Sequence, residues 1–203
     1  MKMRNIPTYD FHKTKYGSEL LIDVVALKDI KKYLSDHSLH ALTYYDITLI
    51  TDGEGFFRID ETNHQVKVSD VLFSQPYQLR EWDTQHIADG YALIFEEEFL
   101  LSFFNDPNFI NNISFFKKYC NNSRLELSTS VFEQINFLMQ QIKDEIDKYA
   151  VKNKHILRAL LYQVLMTLDR AFIGQYAIAP QSDSHNYVDR FLTFVHADFQ
   201  INH

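Results

Sequence analysis

Four side chains able to hydrogen-bond or to exchange protons recur at even spacing in one stretch: His40, Tyr44, Asp46 and Thr48. In an extended segment, period-two alternation puts all four on one face. His40 with Asp46 is the acid and base pair that the chain offers to proton-transfer chemistry. Other candidates have blander readings. His37 and His40 stand three apart in what reads as a loop, where such a pair is solvated, and His185 and His196 lack further ligands. Lys117 and Lys118 beside Cys120 would lower a thiol pKa, yet no general base accompanies them. Glu96, Glu97 and Glu98 suit a helix start, where carboxylates complement the dipole. There is no Gly-rich phosphate loop and no Gly-x-Ser-x-Gly elbow.

Apolar residues make up 46 % of 203, enough for a packed core and too many for a disordered chain. Twenty Lys and Arg against 27 Asp and Glu leave a formal charge of −7, which argues against many phosphate contacts within this piece. A single cysteine cannot form an internal disulfide, and the first residues lack the apolar run of a secretory signal, so the expected compartment is the cytoplasm. The most apolar stretch, Ile156 to Ile173, carries Arg158, Asp169 and Arg170 and reads as a buried helix, with no membrane role.

Five glycines and four prolines punctuate the chain sparsely and concentrate in its first half. From His40 to Phe95, runs of Tyr, Ile, Phe and Val are separated by Asp52-Gly53-Glu54-Gly55, Glu61-Thr62-Asn63-His64, Ser69-Asp70, Gln75-Pro76 and Asp89-Gly90, which predicts an antiparallel sandwich or barrel. The period then changes. Val131, Ile135, Leu138, Ile142, Ile146 and Tyr149 fall on one helical face, with Ser130 and Glu133 as its cap. A second helix starts at Asn153 and buries Leu157, Leu161, Val164, Leu168 and Phe172, giving an antiparallel hairpin. Ile156, Leu160 and Leu165 widen its stripe enough for a second contact, with the barrel or another subunit. Phe99, Phe103, Phe104, Phe109, Phe115 and Phe116 read as core between barrel and hairpin. Residues 175–186 read as a linker. Val188, Phe191, Leu192, Val195 and Phe199 form a last stripe with nothing after it to cover it, so the natural gene product is expected to continue past His203.

This order of parts resembles the amino-terminal half of an AraC-type transcription regulator. The run His40-Ala-Leu-Thr-Tyr-Tyr-Asp-Ile-Thr-Leu-Ile-Thr-Asp-Gly-Glu-Gly55 is similar to the family's first barrel motif, and Val71-Leu-Phe-Ser-Gln-Pro-Tyr-Gln-Leu-Arg-Glu-Trp82 to its second. Gly90-Tyr-Ala-Leu-Ile-Phe-Glu-Glu-Glu-Phe-Leu100 resembles the strand and helix entry that follow. Asn186-Tyr-Val-Asp-Arg-Phe-Leu-Thr-Phe-Val-His-Ala-Asp-Phe199 resembles the opening helix of the DNA-binding domain. The resemblance implies an α+β protein: a cupin-like antiparallel β-barrel (jelly roll) followed by a two-helix hairpin. Residues 1–110 would be the sensor barrel with its amino-terminal arm, 111–174 the helical dimerisation region, 175–186 the linker and 187–203 the first helix of a helix-turn-helix domain.

Metal-binding cupins draw two His and a carboxylate from the first motif and another His from the second. Here His40 and Asp46 hold two of those places, but Leu42 and Arg80 hold the others. A guanidinium opposes a dication, so no metal and no cofactor are expected, and with them goes cupin enzyme chemistry. The resemblance brings Arg80 and Trp82 to the face of His40, Tyr44, Asp46 and Thr48, and these six are the expected ligand-binding residues. Arg80 would pair with a carboxylate or bond sugar hydroxyls while Tyr44 or Trp82 stacks on a ring; alternatively, it neutralises Asp46 and seals the barrel. The implied partners are a small-molecule effector (a sugar or small acid), a second subunit through the hairpin, and promoter DNA through the missing domain. The arm, with Tyr9, Phe11 and Tyr16, would fold over the pocket as a ligand-dependent lid.

Overall fold

The structure is a computed structural model that describes residues 6–34, 38–104, 106–117, 120, 122–148 and 151–176. Among these, ten strands form two sheets of five. The first sheet runs in the order β1 (Thr8–Tyr9), β3 (His40–Leu42), β8 (Leu79–Trp82), β5 (Gly55–Ile59) and β6 (Thr62–Val66). The second runs β10 (Arg124–Glu126), β7 (Asp70–Ser74), β4 (Tyr45–Gly53), β9 (Ile87–Phe95) and β2 (Ile22–Ala26). Of the sandwich or barrel predicted from the strand spacing, the described residues form two sheets, and the closed barrel that the resemblance implies is not found among them. No ladder joins the two sheets among the described residues, and their contact is made by side chains. All pairings are antiparallel except β1 with β3, which is parallel.

The second sheet is buried on both faces, and alternation sorts its side chains between two cores. Ile22, Val24, Tyr45, Ile47, Leu49, Val71, Phe73, Leu93 and Phe95 belong to a large core shared with the helices. Their neighbours Ile50, Leu72 and Ala92 turn the other way and join Phe57, Ile59, Val66 and Trp82 of the first sheet. A strand with two buried faces loses its polar alternation and reads as a continuous apolar run. For that reason β2, from Leu20-Leu21-Ile22-Asp23-Val24-Val25, gives no clear period in the sequence.

Helix α1 (Leu27–Leu34) packs on β9 and β2. The acidic run starts a helix as expected: α2 (Glu97–Leu101) carries Glu97 and Glu98 in its first turn, and α3 (Phe109–Asn112) follows after a turn. Two long helices, α4 (Thr129–Lys148) and α5 (Lys154–Tyr176), pack against each other. The predicted stripes are the buried ones: Ile135, Leu138, Ile142 and Ile146 on α4; Leu157, Leu161, Val164, Leu168 and Phe172 on α5. Asn153 caps α5, its Oδ1 accepting the amides of His155 and Ile156 at 3.0 and 3.3 Å. On α4 the start lies earlier than Ser130 and Glu133 suggest, because the Ser128 carbonyl already accepts the Phe132 amide at 2.9 Å. No described helix is long and apolar enough to cross a membrane. Tyr149, the 187–203 helix and all of the 175–186 linker beyond Tyr176 fall outside the described residues.

Two turn assignments are corrected. Asp60 adopts a φ of 52° and carries the β5–β6 turn, so Thr62, Asn63 and His64 are strand. Asp89-Gly90 lies inside β9, beside a register shift against β4. A Cβ on Gly90 would collide with the Leu49 carbonyl and come within 2.9 Å of Leu27 Cδ1, so glycine here serves close approach of two strands. Gly174 in α5 has nothing within 4 Å of the same added atom. Gly90→Ala should therefore lower stability by about 1–3 kcal/mol, whereas Gly174→Ala should raise it by up to about 1 kcal/mol. Urea unfolding of both variants checks the opposite signs.

Candidate functional site

Between the two sheets lies a cavity of about 250 Å³. Tyr9, His40, Leu42, Arg80 and Trp82 line it from the first sheet, and Val25, Asp46, Ala92 and Ile94 from the second. Ile30 of α1 and Tyr44, in the bend between β3 and β4, complete the wall. Five of the six residues singled out in the sequence thus meet at one cavity. The sixth, Thr48, is fully buried behind them and bonds two of the five.

The polar pole is built from both sheets. Arg80 reaches from β8 across to Asp46 on β4, Nη1 to Oδ1 at 3.0 Å, with 4 % and 3 % of the two side chains exposed. Arg80 Nη1 also donates to Ser74 Oγ at 3.1 Å and Nη2 to Thr48 Oγ1 at 3.3 Å. Thr48 in turn donates to Asp46 Oδ1 at 2.6 Å. The guanidinium lies over the Phe57 ring, 5.2 Å from its centroid. The internal pairing that the sequence allowed for Arg80 is therefore present. It is incomplete, because Arg80 Nε is buried without a hydrogen-bond partner.

His40 faces Arg80 across the β3–β8 ladder. Its Nδ1 lies 3.0 Å from the Ser38 carbonyl, which can only accept, so Nδ1 carries the proton and Nε2 keeps its lone pair. Burial first, and then the Arg80 charge, lower its pKa to about 4, so the ring is neutral at pH 7. Burial pushes the Tyr44 phenol up to about 12. Trp82 is 2 % exposed and forms part of the apolar core as well as the wall.

The arm reaches this site in part. Tyr9 meets the His40 ring edge-on at 5.6 Å, and Phe11 meets Tyr44 at 5.3 Å. Tyr16 lies elsewhere, donating to Asp23 at 2.8 Å. Ser74 and the apolar walls Val25, Ile30, Ala92 and Ile94 escaped the sequence reading. For Ser74 a signal existed, since two-residue alternation from inward Leu72 points it at Arg80.

The remaining candidates do not join a site. His40 is buried in a strand rather than solvated beside His37, and His37, His185, His196 and Lys118 lie outside the described residues. Burial raises the Cys120 thiol pKa, the direction opposite to activation. Phe99, Phe115 and Phe116 are core, Phe104 and Phe109 pack partly against it, and Phe103 is 54 % exposed. Among the described residues no group of three or more His, Cys, Asp or Glu is placed to hold a metal ion.

What these observations define is an α+β protein of two facing sheets with one polar pole in a mostly apolar cavity. No protein-family model and no curated protein matches the sequence. Among solved structures the chain is similar to the crystal structure of the AraC-like transcriptional activator CuxR, at 12 % identity and a TM-score of 0.41, covering 79 % of this chain and 52 % of that one. The chain spans about half the length of that activator.

The neutral His40 makes stability depend on pH. Below 6.5 an unfolded chain's imidazole takes up a proton that the folded site refuses until about 4. The contribution is complete above the unfolded value and is lost as pH falls through that interval, by up to about 3 kcal/mol. His40→Asn keeps a donor for the Ser38 carbonyl and removes the titration. Urea unfolding from pH 7 to pH 4 should give a shallower loss for the variant, and equal slopes would contradict a buried neutral imidazole.

Proposed function

We propose that this chain is the effector-sensing and dimerising module of an AraC-type transcription regulator. The two sheets are read as an open, cupin-like jelly roll, and α4 with α5 as its antiparallel dimerisation hairpin. The observation that carries the reading is the cavity of about 250 Å³, lined by side chains of both sheets beside one arginine whose Nε lacks a partner. Sites for drug-sized ligands hold about 300–1,000 Å³, so a small organic effector suits this one. Promoter DNA would be bound by the domain that the resemblance starts at Tyr187, in keeping with a chain of formal charge −7.

Sensing requires a coupling free energy between the cavity and the helices. Strand β4 offers a short path. Asp46 lines the cavity, while Tyr45 and Ile47, its neighbours in the chain, belong to the core shared with α4 and α5. A ligand that displaces Asp46 displaces their backbone too. Phe137 on α4 and Ile156 and Tyr162 on α5 leave apolar surface at 62, 46 and 39 % exposure, which suits a second subunit. Sedimentation should find a dimer that Phe137→Glu or Ile156→Glu weakens; a monomer at all concentrations would contradict the hairpin's role.

Thermal unfolding against a panel of small organic compounds tests the sensor itself. An effector at 100 times its Kd adds about 2.7 kcal/mol, a rise of roughly 5–10 °C for a domain of this size. Ala92→Leu, which extends an apolar wall into the cavity, should abolish the rise. A rise unaffected by that variant would place binding elsewhere, and no rise with any compound would favour a barrel that only dimerises.

A further inference from the structure

Resting on the reading of the cavity as an effector site, we propose that its ligand is an uncharged apolar ring bearing one hydroxyl, a phenol-type molecule, in place of the sugar or small acid suggested by the sequence. Charge argues against an acid. The Arg80 charge is already matched by Asp46 at 3.0 Å, and His40 and Tyr44 are neutral. A carboxylate placed here would be a second negative charge beside Asp46, with no Lys or Arg other than Arg80 among the residues that line the cavity. The distribution of polar groups argues against a sugar. Beside His40, Asp46 and Arg80 the polar atoms of the lining side chains are the single tips of Tyr9, Tyr44 and Trp82, whereas Val25, Ile30, Leu42, Ala92 and Ile94 offer nothing to a hydroxyl. A sugar, polar around its whole rim, would bury several hydroxyls unpaired.

The pole has room for one hydroxyl. Arg80 Nε–H lacks an acceptor, and His40 Nε2 keeps a lone pair because Nδ1–H is donated to Ser38. The two residues stand opposite each other across the β3–β8 ladder. A hydroxyl beside His40 donates to Nε2 without a change in charge, and it accepts from Arg80 Nε, which is buried behind the cavity surface, only after a shift of the guanidinium. Its ring would lie among the aromatic faces of Tyr9, Tyr44 and Trp82.

Titration calorimetry of the chain with 4-ethylphenol, 4-ethylbenzoate and D-xylose at pH 7.5 tests this. Binding of 4-ethylphenol at least about tenfold tighter than the other two, and lost in Ala92→Leu, is the expected result. Tightest binding of 4-ethylbenzoate or D-xylose would overturn the ligand class and leave the effector site standing; heat from none of the three would count against both. His40→Leu removes the acceptor and should weaken 4-ethylphenol about tenfold. If that variant does not fold, 4-ethylanisole with the unaltered protein gives the same comparison, since its methylated oxygen cannot donate. Equal affinity for the phenol and its methyl ether would overturn the proposed hydroxyl contact.

Discussion

The ion pair of Arg80 with Asp46 is the constraint around which the inter-sheet region is organised. A charged pair almost completely removed from water is costly, and it persists only where further hydrogen bonds hold both ions. Thr48 and Ser74 supply those bonds from β4 and β7. Four side chains from three strands are thereby fixed across the gap between two sheets that share no backbone ladder among the described residues. Breaking the pair from one side would leave a buried, uncompensated charge. Burial first, and then the same guanidinium, keep His40 neutral.

The second sheet has to serve two interiors at once. Along β4, Asp46, Thr48 and Ile50 turn toward the first sheet, and Tyr45, Ile47 and Leu49 toward the helices. Phe73 of β7 stacks on Phe115 at 4.0 Å and meets Phe172 of α5 edge-on at 5.9 Å. Its neighbour Ser74 bonds Arg80. Close-packed interiors transmit displacement poorly by yielding and well by shifting as units. The polar pole and the aromatic core under the helices are therefore separated by a single layer of backbone.

How far this could be read in the sequence follows from the same geometry. Even spacing singles out His40, Tyr44 and Asp46 as one extended face, yet the chain bends at Tyr44 between β3 and β4, so they meet from two sheets across the cavity; Arg80 joins them through the second-motif resemblance, not through alternation. Where both faces are apolar, the period vanishes; β2 and the walls it supplies, such as Val25, were missed. Strand β10 is only three residues long, too short for any periodic signal, yet it extends the second sheet from within a region expected to be helical. Asp89-Gly90 was misread because the dipeptide of a turn is also what two closely approaching strands require. The two long helices were legible because each turns one long apolar stripe to a single core, whereas the short α1 and α3 give no such stripe and were not expected.

The arm is the least anchored wall of the cavity. Strand β1 is two residues long and pairs in parallel with β3, through Thr8 with Ala41 and Tyr9 with Leu42. At the cavity the arm's contacts include two ring pairs, Tyr9 on His40 and Phe11 on Tyr44, and further along Lys15 and Tyr16 tie the arm to Asp23 of β2. Elements with little buried area open at the low end of the free-energy range. The other walls belong to longer strands or to the bend and helix beside them, and they are tied into the two hydrophobic cores. On the sensor reading, a ligand in the cavity would touch Tyr9 and so add to the contacts that hold the arm.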